Sequence, residues 1–127
     1  MDNELAYLEL MHKALRREGH HTIPASGYVA GFNSFIMHKG EINLLITAVA
    51  LGNGRNGCDL AKKLLAVIPN LKVLFVSAPS GAEVCRFYGM LGPGMHFLEK
   101  PFTNDEFVRM LRLILENSSS ARASSTC

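Results

Sequence analysis

Two stretches of this 127-residue chain hold residue types and spacings that do chemistry. The first, Gly52-Asn53-Gly54-Arg55-Asn56-Gly57, matches G-x-G-x-x-G between an apolar run and a helical pattern. Such a loop can turn backbone N–H groups at a helix N-terminus toward a pyrophosphate. That chemistry also wants an acid at the end of the next strand, for the ribose hydroxyls; here that strand ends Ser77-Ala78-Pro79-Ser80. A strand-to-helix loop without a ligand fits the same glycines. The second stretch is Lys100-Pro101-Phe102, just past the last expected strand, at the sheet edge where anions bind in open α/β folds. A solvated loop lysine is its plain alternative.

Other reactive residue types are arranged less suggestively. His12, His20, His21, His38 and His96 show no metal-ligand spacing. Cys58, Cys85 and Cys127 include no CxxC pair, and the first two lie on helical patterns where cysteine acts as a small apolar filler. Between Ile42 and Cys58 there is no carboxylate at all. The other acids near strand C-termini are Glu99 and, if a strand precedes it, Asp2, and a magnesium ion wants several oxygen ligands, carboxylates among them. No metal or other cofactor is expected.

Alternating elements must position these residues. Apolar spacing predicts helices over Glu4–Arg17, Tyr28–Lys39, Cys58–Ile68 and Ser80–Leu91. On the second of these, Val29, Phe32, Phe35 and Ile36 share a face. Thr103-x-x-Glu106 has the form of a capping box and opens a last helix carrying Phe107, Met110, Leu111 and Ile114. Strands are expected over His21–Ala25, Ile42–Ala50, Lys72–Ser77 and Met95–Leu98, the middle two as apolar runs buried on both faces. Alternation of this kind predicts an α/β fold, a parallel sheet with helices on both faces. Residues 1–116 read as one domain; 117–127, NSSSARASSTC, lack periodicity and read as a disordered tail.

Composition narrows the function classes. Residues are 48% apolar, and thirteen Lys+Arg against eleven Asp+Glu give a net charge of +2 without like-charge blocks, so neither nucleic acid nor an anionic membrane is called for. No apolar run reaches membrane-spanning length, and MDNELAYLEL is no signal peptide. A cytoplasmic setting is expected.

The order of motifs resembles the receiver domain of two-component response regulators, the CheY-like (flavodoxin-like) fold, and especially the receivers attached to hybrid sensor kinases. The resemblance spans about Asp2 to Glu116. It is carried by REGHHTIPAS, INLLITAV, NGCDLAKKL, PNLKVLFVS, PGMHFLEKPF and TNDEFVRMLRLIL. It implies a phosphorylation site at the ends of parallel strands. The family lysine falls on Lys100, the hydroxyl residue on Ser77 and the aromatic switch position on Phe97. The phosphoacceptor aspartate of patterns such as LLITD falls on Ala48, and of the acidic pair that holds Mg2+ only Asp2 has a match. The glycine stretch becomes the loop after the acceptor strand.

The family's first strand, central in its sheet order 2-1-3-4-5, has no counterpart. About five buried apolar side chains are thereby lost, at ~1.5–3 kcal/mol each. Helices must repack, or another chain must supply a swapped strand, so a homo-oligomer is expected.

The resemblance thus implies a pseudo-receiver, not an enzyme, in phosphorelay signalling. It would be unable to accept phosphate, with its Mg2+ site lost. Its partners would be a histidine kinase or another signalling protein, met through the fourth helix, last strand and last helix around Phe97 and Val108. The alternative is a truncated or altered fragment of an ordinary phosphoacceptor regulator. A nucleotide-binding protein working through Gly52–Gly57 is a third reading.

Overall fold

The computed structural model describes residues 5–25, 27–38, 40–52, 54–78, 80–87, 89, 94–116 and 125–126. Two strands dictate the rest. β2 (Leu44–Ala48) is buried at all five positions, and β5 (Lys72–Ser77) at every position after Lys72. Strands so apolar on both faces require helices on both faces. They pair in parallel, Leu44 opposite Lys72 through Ala48 opposite Val76, and β6 (Met95–Glu99) continues the sheet in parallel from Val73 opposite Met95 to Ser77 opposite Glu99. The crossovers between them are α3 (Gly57–Val67) and α4 (Gly81–Phe87).

The helices form two sets. α1 (Leu5–Arg17) packs with α5 (Asn104–Glu116), where Glu18 receives both Nε and a terminal nitrogen of Arg112 at 2.9 and 3.1 Å. That hydrogen-bonded guanidinium holds the Glu18 carboxyl below its ordinary range. α2 (Tyr28–His38) packs with α3, and α3 meets α4 at Cys58 and Cys85, whose sulfurs lie 3.3 Å apart. Both thiols are fully buried. Burial first, and then the hydrogen bond to Cys85, pushes the Cys58 thiol up to about 12, so neither side chain is poised as a thiolate nucleophile.

Local rules set the ends of elements. α1 stops at Gly19, whose φ of +88° lets its N–H and that of His20 return to the carbonyls of Arg16 and Leu15. α5 starts with the expected capping box in both directions: Thr103 N–H donates to Glu106 Oε1 at 2.8 Å, and Glu106 N–H to Thr103 Oγ1 at 3.1 Å. Four expectations need correction. The strand of Ile42–Ala50 ends at Ala48, because Ala50–Gly52 (β3) folds back on Arg55–Asn56 (β4) as a small antiparallel hairpin. The strand of His21–Ala25 is only His21–Thr22 (β1), cut short before Pro24, which has no N–H to give a ladder. The last strand runs one residue further, to Glu99. On α2, Tyr28, Gly31 and Phe35 face inward while Val29 and Ile36 are exposed. Tyr28 selects that face: its hydroxyl donates to Asp59 on α3, and the Arg55 guanidinium lies over its ring at 4.8 Å. The described part of α4 ends at Phe87; positions 88, 90 and 91 of the longer expected helix lie outside the described residues.

The remaining strand is β7 (Ser125–Thr126), parallel to β1 with His21 opposite Ser125 and Thr22 opposite Thr126. It adjoins β2, with no ladder between the two among the described residues. Positions 117–124 and Cys127 of the expected tail lie outside the described residues. No helix among the described residues is long and apolar enough to cross a membrane.

On β6, burial first and the Lys72 ammonium second lower the His96 pKa below its ordinary 6.5. Between that lowered value and 6.5 the unfolded chain binds the proton more readily, so folding stability rises with pH across this window and levels off above it. Urea melts at a series of pH values should show the rise, and His96→Gln should flatten it.

Candidate functional site

Parallel pairing brings the C-terminal ends of β2, β5 and β6 to one sheet edge, and three residues singled out in the sequence meet there. Ala48 ends β2 opposite Val76, Ser77 ends β5, and Lys100 follows β6. The Lys100 N–H donates to the Ser77 carbonyl at 2.7 Å, which extends the β5–β6 ladder by one bond into the loop. Ala48 is 3% exposed and Ser77 8%. The half-buried Lys100 places its ammonium 4.4 Å above the centre of the Tyr7 ring, so α1 holds this cation by its aromatic face. Phe97 is half-buried on β6, and Asp2 lies outside the described residues.

Two glycines close the space around Ala48 and Ser77. A Cβ at Gly57 would strike the Ala48 carbonyl and stand 2.7 Å from Thr47 Oγ1. A Cβ at Gly81 would strike the Ser77 hydroxyl and stand 2.7 Å from Ser77 Cβ. Helices α3 and α4 thus begin directly against the strand ends. Buried Thr47 turns its hydroxyl to the Ala48 carbonyl, at 2.9 Å. Gly57 stood out in the sequence only as the last glycine of G-x-G-x-x-G, and Gly81 and Tyr7 not at all; a glycine opening the helix after each buried strand was the available signal.

The chemistry of this edge follows from its side chains. Ala48 offers a methyl, Thr47 and Ser77 hydroxyls, and Lys100 a cation. Glu99 is exposed at the end of β6, a single carboxylate where a divalent cation wants several oxygens. Among the described residues no three His, Cys, Asp or Glu side chains come together to hold a metal ion. Among the described residues this donor set does not fit Mg2+.

The glycine stretch, meanwhile, is a hairpin running into a helix. Gly52 and Gly54–Gly57 make up the β3–β4 hairpin and the start of α3, with Gly54 at φ +74° in the turn. The helix N-terminus uses its own acceptors. Asn56 Oδ1 takes the Asp59 N–H at 2.7 Å, and the Val49 carbonyl takes the Gly57 N–H at 2.7 Å. Two of the N–H donors at this helix start are therefore already paired within the chain.

No family model and no curated protein matches the chain. Solved structures do. The receiver domain of NtrX from Brucella abortus is 24% identical, with 92% of this chain and 96% of that one covered at a TM-score of 0.78. A response regulator receiver protein from Sinorhizobium medicae WSM419 is 21% identical, covering 91% and 90% at 0.75. A CheY-like receiver domain protein from Methanospirillum hungatei JF-1 is 18% identical, covering 91% and 89% at 0.73. At these identities the likeness speaks for architecture: the chain has the fold of the CheY-like response regulator receiver domains.

Proposed function

We propose that this chain is a receiver-like module of two-component phosphorelay signalling that does not accept phosphate and acts through protein–protein contacts. The observation that carries the reading is the side chain at the end of β2. There the fold presents the buried methyl of Ala48, which has no oxygen to take a phosphoryl group. Ser77 and Lys100 keep their places beside it as a hydroxyl and a cation without a nucleophilic carboxylate. The surface available for partners is the β6 edge with α5. Phe97 and Val108 are half-buried there, and a groove is lined by Leu98, Glu106, Arg109, Met110 and the exposed Leu113. A histidine kinase or another signalling protein, in the cytoplasm, is the partner class.

Mass spectrometry after incubation with acetyl phosphate and Mg2+ tests the reading. The expected spectrum shows the unmodified chain; a stoichiometric phosphoryl adduct on an aspartate overturns it. A second reading, an altered copy of an ordinary phosphoacceptor, draws on Ser77 and Lys100 standing at the matching strand ends. Ala48→Asp separates the two in the same assay. It stays unlabelled if the edge lacks the acids for a cation, and takes up phosphate under the second reading.

A further inference from the structure

Cys58 and Cys85 are the free thiols among the described residues, and the fold brings them together from 27 positions apart in the chain. Cys58 follows the first residue of α3, Cys85 lies one turn into α4, and the Cys58 thiol donates to the Cys85 sulfur at 3.3 Å. Neither has any exposed surface. As a small apolar filler either cysteine would serve alone. A facing pair has a second chemistry, because two converging thiols can form an S–S bond of ~2.05 Å. The two sulfurs need to close by roughly 1.2 Å to reach it. α4 is the element that can supply this movement. It is seven residues long, and a Cβ at its first residue, Gly81, would first meet side-chain atoms of Ser77. α3 begins instead against backbone, at the Ala48 carbonyl.

We propose that Cys58 and Cys85 form a disulfide modification site, at which a low-molecular-weight disulfide of the glutathione class joins α3 to α4. One cysteine, as its thiolate, attacks the reagent, breaks its S–S bond and releases one reagent thiol. The second cysteine then attacks the protein sulfur of this mixed disulfide and releases the other reagent thiol. Two electrons pass from the cysteine pair to the reagent, and the two protons of the cysteine thiols leave on the released thiols. Burial makes the exchange slow, since it begins only when α4 lifts from α3, and the same burial shelters the finished bond from reductant. In a reducing setting the pair stays as thiols, and the bridge forms under oxidative load. Both helices start against strand ends, so the bond ties them together beside the edge that carries Ala48, Ser77 and Lys100. The inference rests on the thiol pair alone and stands whether or not Ala48 silences phosphotransfer.

Equilibration with reduced and oxidised glutathione tests it on the full chain carrying Cys127→Ser, which leaves only the two thiols of the pair. Equilibrium is approached from both sides, from the reduced chain and from chain bridged in urea and then refolded. Mass spectrometry reads the bridge as a loss of two hydrogens, and peptide mapping places it. The folded chain should favour the bridge at least about tenfold more than the chain kept in urea, because folding holds the sulfurs together. The bridged chain should melt about 5–15 °C above the reduced one, and dithiothreitol should reverse the shift. Glutathione adducts without a bridge, or a bridge no more favoured in the folded chain than in urea, overturn the proposal. So does a bridged chain that fails to refold or melts no higher than the reduced one, since the pair would then be packing and not a disulfide site.

Discussion

Phe107→Ala should lower the stability of the domain by about 3–5 kcal/mol, the usual cost of emptying a buried aromatic site. Against a typical total of ~5–15 kcal/mol the variant would be marginal. Phe107 is fully buried one turn into α5, where the Thr103–Glu106 box fixes the helix start and the Phe107 N–H bonds the Thr103 carbonyl at 3.0 Å. Its ring stacks on Phe102 at 5.9 Å between centroids, and Phe102 meets Tyr7 at 5.0 Å. Tyr7 in turn carries the Lys100 ammonium. One aromatic series therefore joins α5, the loop after β6 and α1, and it seats the cation of the candidate site. Urea unfolding should show a lower midpoint with an unchanged slope. Leu113→Ala, on the same helix but 55% exposed, should stay within about 0.5 kcal/mol. A loss below about 1 kcal/mol for Phe107→Ala would mean that the site collapses around the cavity and that the aromatic series is not a support.

What the sequence made legible follows the range of the forces involved. The capping box and the strand Lys72–Ser77 depend on neighbours in the chain or on uniform burial, and both stand as read. Ile42–Ala50 shows the limit. Apolar continuity cannot say where a strand leaves its sheet, and the turn at Gly54 carries Ala50–Gly52 onto a separate hairpin. α2 shows another. Val29, Phe32, Phe35, Ile36 and Met37 surround the helix with apolar side chains, so periodicity does not choose a face. The choice is made by Tyr28 reaching Asp59, a contact across 31 positions. β7 left no trace at all, since Ser125–Thr126 has neither alternation nor apolar character.

At the site, strand ends were readable and their surroundings were not. Ala48, Ser77 and Lys100 converge because parallel strands of similar length finish at one edge, a consequence of topology that alternation already implies. The Tyr7 ring beneath Lys100 requires α1 to pass that edge, which no local pattern encodes. The close approach of Gly57 and Gly81 is likewise a matter of helix placement. It accounts for a glycine at the end of that stretch.

Gly57→Ala should therefore destabilise the protein by about 1–3 kcal/mol even though alanine is the better helix former. The propensity gain at this first helical position is at most ~1 kcal/mol, and the steric term opposes it. The added methyl meets the Ala48 carbonyl, which is backbone and held in the β2 ladder, so it cannot swing aside. Thr47 Cγ2 at 2.9 Å closes a second direction. Relief by moving α3 would stretch the bond from Gly57 N–H to the Val49 carbonyl and shift Cys58 within its packing against Cys85. Adding Thr47→Ala should restore only part of the loss, because it removes the side-chain contacts and leaves the carbonyl. Gly81→Ala makes the contrasting case: the atoms it meets first belong to the Ser77 side chain, so Ser77→Gly should recover most of its cost. Denaturant melts of the four variants would check the ordering. Full rescue of Gly57→Ala by Thr47→Ala would show that the side chain, and not the β2 backbone, sets how closely α3 seals the end of that strand.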